Sequence, residues 1–134
     1  MIPEPVWVAW ATVLAIHQQQ LKEHGGSSGL RDRNLLESAL ARPRQIFNYE
    51  DDPPLSRLAA AYAGGIVRNH PFVDGNKRTA FVVMAVFLAR NGCRFKAPQV
   101  DVALTMLALA AGSLEEEQLE EWIARSIVSG ALIK

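Results

Sequence analysis

His70-Pro71-Phe72-Val73-Asp74-Gly75-Asn76-Lys77-Arg78 leads through Thr79 into ten unbroken apolar residues, Ala80 to Ala89, closed by Arg90. The apolar run decides the fold. It is too short to span a bilayer, and a helix without a polar face is normally enclosed by other helices. The pattern therefore predicts a helix over 77–91 at the centre of a helical bundle. The nine residues before it break a local rule. Lys77 and Arg78 fall in the first turn of that helix, where the macrodipole disfavours cations by roughly 0.3–1 kcal/mol each. A bound anion is the simplest compensation, and phosphate suits a helix start lined with free N–H groups.

Each residue type in the turn has a chemistry. Histidine is the side chain that titrates near neutrality, which makes His70 the candidate general base. Asp74 is a hard-oxygen ligand suited to Mg²⁺ beside a phosphate. Gly75 permits a tight turn, and Asn76 can cap the helix or donate its amide to a phosphate oxygen. Lys77 and Arg78 add charge, and the guanidinium can grip phosphate with two parallel bonds. Base, metal ligand, anion cradle and fork together describe transfer of a phosphate-containing group from a nucleotide.

Outward from the turn, nearly every periodic segment predicts helix. Residues 5 to 22 carry Val6, Trp10, Val13, Leu14 and Leu21 and stop at Gly25-Gly26-Ser27-Ser28-Gly29. Asp32 is the expected N-cap of a helix through Ala41, ended by Pro43. Residues 43 to 54 read as a loop or short extended flap. Pro54 opens a helix carrying Leu55, Leu58, Ala59, Tyr62, Ala63, Ile66 and Val67, in which Gly64 and Gly65 predict a close helix–helix approach. His70, before a proline, closes it. Gly92 is the expected cap of the central helix, with Phe95 in a short connection. Further helices are expected over about 98–111 and about 114–128, the last started by a Ser113–Glu116 capping box.

The 134 residues suffice for one domain that buries about two-thirds of its unfolded surface. Fourteen basic residues balance fourteen acidic ones, which argues against a nucleic-acid or anionic-membrane partner. Cys93 is alone, as suits a reducing compartment, and reads as a small apolar side chain. Pro3, Glu4 and Pro5 do not resemble a signal peptide, so a soluble, cytoplasmic protein is expected. Trp7, Trp10 and Trp122 read as core or groove residues, and Arg31 and Asp32 as structural. Glu115-Glu116-Glu117 and Glu120-Glu121 read as a solvated acidic helix start. His17 and His24 have no sequence partners for a metal site and receive no role.

The turn resembles the signature of the Fic/Doc family, His-x-Phe-x-Asp/Glu-(Gly/Ala)-Asn-(Gly/Lys)-Arg. Gly25-Gly26, Gly29-Leu30-Arg31-Asp32 and Leu35-Leu36-Glu37-Ser38-Ala39-Leu40-Ala41-Arg42-Pro43 resemble its Doc, or death-on-curing, branch. The resemblance implies an all-α, Fic-type bundle of about six helices filling residues 1–134 as one domain, with a central buried helix after the catalytic turn and a short flap. By the same resemblance His70, Asp74 and Arg78 are catalytic, and Asp74 holds Mg²⁺. Gly75, Asn76, Lys77 and Arg78 bind the phosphates of ATP. Arg44, Gln45, Ile46 and Phe47 belong to the flap that aligns the target chain.

Adenylyltransferases of the family usually carry Gly in place of Lys77 and a second Arg in place of Phe81. The Doc form has neither, and implies transfer of the γ-phosphoryl of ATP to a Ser or Thr hydroxyl of a translation factor such as elongation factor Tu. Pro71 and Gly75 are more typical of the adenylyltransferase form, so AMP transfer is the alternative. A non-catalytic partner-binding module is the second alternative, disfavoured because every chemical position of the turn is filled. The family's inhibitory helix has the pattern Ser/Thr-x-x-x-Glu-Gly/Asn. Ser113-Leu114-Glu115-Glu116-Glu117-Gln118 lacks its last residue, which implies an antitoxin supplied in trans.

Overall fold

Eleven of the fifteen residues of one helix, Leu55–Asn69, are buried, and the other elements are arranged around it. The computed structural model describes residues 3–129. Among these the order is α1 (Trp10–His24), α2 (Arg33–Tyr49), α3 (Leu55–Asn69), α4 (Asn76–Arg90), β1 (Cys93–Phe95), α5 (Gln99–Ala111), α6 (Glu116–Ser126) and β2 (Ile127–Ser129). Helices α2, α4 and α6 make the most extensive contacts with α3. The architecture is the expected all-α bundle of six helices, with a two-stranded antiparallel ribbon added, in which Phe95 faces Ile127. No helix among the described residues is long and apolar enough to cross a membrane.

The enclosed centre is shared between α3 and α4. Ala80, Val83, Met84, Phe87 and Leu88 of α4 are buried, whereas Phe81, Val82, Ala85 and Val86 form a half-buried stripe. An apolar helix with one incompletely covered side makes the wall of a groove. Gly65 serves the predicted close approach, since a Cβ there would lie 3.2 Å from the Cβ of Ala39 on α2. Gly64 does something else. A Cβ at that position would lie 2.5 Å from Glu116 Oε1, so its absence leaves a slot for a carboxylate.

Several boundaries differ from the sequence reading, each for a tertiary reason. Helix α1 starts at Trp10 rather than near residue 5, because the preceding arm bonds elsewhere. Val8 N–H donates to Tyr62 Oη at 3.0 Å, and Val6 exchanges bonds of 2.8 and 3.0 Å with the Asn91 amide. Helix α2 starts at Asp32 as expected, with its carboxylate accepting from Leu35 N–H at 3.0 Å, but passes through Pro43 to Tyr49. Proline inside a helix costs about 3 kcal/mol. Burial of Ile46, about 1.5–3 kcal/mol, and the edge contact of Phe47 on Trp7, about 0.5–1.5 kcal/mol, offset it. The non-helical connection is only 50–54.

The acidic start of α6 is also rearranged. Its N-cap is Glu115, whose N–H donates to Gln118 Oε1 at 2.8 Å, so the capping box is Glu115–Gln118. Ser113 Oγ instead donates to Ala108 O at 3.2 Å, at the end of α5. Glu116 is not solvated. Its side chain is 13% exposed and pairs with Arg42, Arg57 and Arg68 at 2.6, 2.8 and 3.0 Å. Helix α6 ends at Ser126, where the β-branched Ile127 and Val128 enter the ribbon.

Candidate active site

Helix α3 ends where its last carbonyls meet Arg31. His70 adopts the left-handed conformation (φ 50°, ψ 55°), the escape open to a residue barred from the right-handed region by the proline after it. That conformation costs a non-glycine residue roughly 1–2 kcal/mol, so it must be held. Arg31 Nε donates to His70 O at 2.7 Å and its Nη2 to Asn69 O at 2.9 Å. The N–H groups of Arg31 and Asp32 both reach Pro71 O, at 2.6 and 3.0 Å, and Val73 N–H reaches Gly29 O at 3.0 Å. The α1–α2 connection thus straps residues 70–73 in place. The His70 residue itself is exposed.

Phe72 anchors the middle of the turn. It is buried, and the Asn76 amide brackets its backbone, accepting from Phe72 N–H at 3.0 Å and donating to Phe72 O at 2.9 Å. Asn76 is only 6% exposed. Oδ1 and one N–H of Nδ2 bond within the loop, and the second N–H is the donor left for a phosphate. The N-cap of α4 is Gly75 at φ 78°, not Asn76.

Asp74 points to the connection after α1. Its Oδ2 accepts from Ser27 N–H at 3.2 Å and its Oδ1 from Gly75 N–H at 2.8 Å. Gly26 makes the room, since a Cβ there would lie 2.8 Å from Oδ2. The bonds from Ser27 and Gly75, aided by the charges of Arg78 and Lys77, hold the carboxyl below the usual carboxylate range. Each oxygen keeps lone-pair capacity after its N–H bond. No group of three or more His, Cys, Asp or Glu that could hold a metal occurs among the described residues. A lone ionised carboxylate fits Mg²⁺, which takes one or two carboxylates and completes its shell with phosphate oxygens and water.

Lys77 and Arg78 begin α4 with no acid in the first turn and no side-chain cap. Lys77 is exposed. Arg78 Nη2 donates to Gly25 O at 3.1 Å, while its Nε is buried without an acceptor. Among the described residues neither cation is in a salt bridge. Both line a groove of about 680 Å³ between α1, α4, α5 and β1. Its apolar lining includes Phe81, Val82, Phe95 and Met106, with His24 and Lys96 as further basic lining. Such a site can hold a polyanion at the helix start with an apolar group alongside.

The four flap residues do not form an extended segment. Arg44, Gln45, Ile46 and Phe47 lie within α2, so their backbone groups are in the helix ladder and present no edge to a peptide. Ile46 is buried, Phe47 meets the Trp7 ring, and the Arg44 guanidinium lies 5.4 Å from the centroid of that ring. The packing that carries the helix past Pro43 makes this stretch helical in place of the expected extended conformation.

One residue given no role belongs to the site. His17 of α1 is 5% exposed, its Nε2 lies 2.8 Å from Asp74 O, and its ring stacks on Phe72 at 3.8 Å and 9°. The signal was present: His17 follows Val13 by one turn on the buried side of α1, and a buried polar group must find a partner.

The sequence model of the Fic/DOC family matches residues 7–88, from the arm before α1 to the end of the buried part of α4. The chain is 29% identical over 114 residues to "Protein kinase doc" of Escherichia phage P1, covering 84% of this chain and 89% of that protein. It is 42% identical over 74 residues to "Toxin Doc" of Mycolicibacterium smegmatis (strain ATCC 700084 / mc(2)155), covering 54% of this chain and 57% of that one.

Proposed function

The chain belongs to the Fic/DOC family, and we propose that it is a toxin that transfers the γ-phosphoryl of ATP to a Ser or Thr hydroxyl of a translation factor of the elongation factor Tu type. The observation that carries this reading is the uncapped start of α4. Its two cations are in no salt bridge among the described residues, and they follow an ionised Asp74 and the exposed His70 in the same turn. The name of the phage relative supports a kinase, and that of the mycobacterial one a toxin.

His70 acts as general base. It takes the proton of the target hydroxyl as that oxygen bonds to the γ-phosphorus and the bond to the β–γ bridging oxygen breaks, releasing ADP. Lys77, Arg78 and the free N–H groups of the first turn hold the phosphates, and Gly75 lets them approach the backbone. Asp74 would hold Mg²⁺, which when bound would neutralise developing phosphate charge. Asn76 keeps the loop in shape. Phe81 lines the groove and meets Phe95 edge-on at 5.5 Å, so the position where adenylyltransferases carry a second Arg is apolar here. That favours γ-phosphoryl over AMP transfer.

The same groove suits an antitoxin segment with apolar side chains and carboxylates, which would cover the wall and neutralise Lys77, Arg78 and Lys96. Incubation with elongation factor Tu and ATP labelled at the α or the γ phosphorus tests the reaction. Label from the γ position alone is expected. Label from the α position alone would establish adenylyl transfer instead. Neither label on the target, with no binding of Mg²⁺·ATP by calorimetry, would leave a non-catalytic binding module.

A further inference from the structure

We propose that His17 is a positioning residue for Asp74, acting through the peptide group between Asp74 and Gly75; this rests on the metal-holding role just given to Asp74. The carbonyl of that peptide can only accept, so His17 Nε2, at 2.8 Å, carries the proton and donates. The N–H at the other end of the same planar unit belongs to Gly75, and it donates to Asp74 Oδ1 at 2.8 Å. Anchoring the oxygen therefore aims the N–H. A bond to the carbonyl also polarises the amide and strengthens its donation to the carboxylate.

The peptide needs such an anchor. Gly75, at φ 78°, follows it, and glycine tolerates many orientations of the preceding plane at little cost. Without a fixed oxygen the plane can rotate, taking the N–H away from the carboxylate. The anchor is itself rigid. The His17 ring lies against Phe72, 3.8 Å between centroids, and Phe72 is held at both backbone ends by Asn76. A Cβ on Gly75 would sit 3.7 Å from the ring's Cδ2 and Nε2, so the ring lies directly beneath the turn. A histidine that only filled space would not need its donor. Here the donor acts on the one peptide that links the base-bearing turn to the start of α4.

Two substitutions separate donor from filler. His17→Phe keeps a flat ring on Phe72 and removes the donor, whereas His17→Gln keeps a donor of similar reach and loses the ring. Hydrogen exchange of the Gly75 amide, followed by NMR in the nucleotide-free protein, reads the peptide directly. Calorimetry with Mg²⁺·ATP reads the consequence. His17→Phe is expected to accelerate Gly75 exchange about 5-fold or more and to weaken Mg²⁺·ATP binding about 10-fold, the usual scale for losing a partner behind a metal ligand. His17→Gln is expected to recover most of both. Unchanged exchange and binding in His17→Phe would overturn the inference, and so would a His17→Gln protein no better than His17→Phe. If His17→Phe does not fold, His17→Met replaces it with the same expectations. If the unsubstituted protein binds no Mg²⁺·ATP, the proposed function fails, while Gly75 exchange still decides whether His17 holds the peptide.

Discussion

Glu116→Gln tests the packing of α6 against the core. The carboxylate fills the slot left by Gly64 and accepts from three guanidinium groups, at 2.6, 2.8 and 3.0 Å. Charge-assisted bonds contribute about 1.5–3 kcal/mol each, so three set an upper bound of roughly 4.5–9 kcal/mol. The arginine side chains are 35%, 23% and 48% exposed and recover water when the carboxylate is lost. Relief of the buried charge reduces the loss further, to about 2–4 kcal/mol, or a drop in Tm of roughly 10 °C. Burial alone would raise the Glu116 pKa, but the bonds and charges of Arg42 and Arg68 outweigh it and hold the group below its ordinary value. A folded-state pKa below the unfolded one stabilises fully above the unfolded value, about 4.3, and the stabilisation is lost as pH falls through the folded one. Thermal melts followed by circular dichroism should therefore show the full gap between the two proteins near neutral pH and a shrinking gap in acid. Glu117→Gln, at an exposed position of the same turn, should change stability by less than about 0.5 kcal/mol. A Glu116→Gln protein that melts with the unsubstituted one near neutral pH, or a gap that persists undiminished in acid, would refute the reasoning.

His70→Ala should lower the rate of target modification on the order of 10²–10⁴-fold and leave the melting curve nearly unchanged, since the residue is exposed; an unchanged rate removes it as the base. Gly26→Ala places a Cβ 2.8 Å from Asp74 Oδ2 at a φ of 122°, so calorimetry should show weakened Mg²⁺·ATP binding; unaltered affinity would detach Asp74 from the metal. Asn76→Ala removes two buried bonds to Phe72, at about 1 kcal/mol net each plus the cost of leaving the Phe72 backbone unpaired. Denaturant titration should show a loss of about 2–4 kcal/mol, and a loss under about 0.5 kcal/mol would refute the bracing of Phe72 by Asn76.

Periodicity revealed the helices where a single principle governed and missed their ends where two competed. Asp32, Gly65 and the closure at His70 follow from capping, close approach and the clash before proline, each acting within a few residues or across one contact. Pro43 obeys the local rule for a helix stop, yet the burial of Ile46 and the contact of Phe47 with Trp7, forty positions away in the chain, outweigh it. Val6 and Val8 look like the first turn of α1, but Asn91 and Tyr62 take their backbone groups. Glu116 reads as one acid among several because its three partners lie 74, 59 and 48 residues away in sequence. In the site, residue types indicated a base, a metal ligand and an anion cradle, while the amide of Asn76 turns inward. Which of two chemically allowed bonds an amide makes is decided by Phe72, and Phe72 shows no polar signature in the sequence.

The loop is specific in residue type but not self-supporting. Of its two backbone oxygens at the carboxyl end of α3 and at Asp74, one is taken by Arg31 and the other by His17. The Asp74 carboxylate needs Ser27 N–H, and needs Gly26 to have no side chain. All four residues lie in or just after α1, outside the nine-residue turn. A short sequence can encode a base, a carboxylate and two cations, but it cannot fix their directions, because glycine at 75 and a left-handed residue at 70 leave the chain free to turn. Rigid positioning to within a fraction of an ångström is what such a site requires, and it comes from a helix and its connection, through bonds that span 38 to 57 residues of sequence. The family match, over residues 7–88, includes these upstream residues as well as the turn. The proposed chemistry needs the turn together with α1 and the strap, and a graft of residues 70–78 alone would carry the functional groups without their geometry.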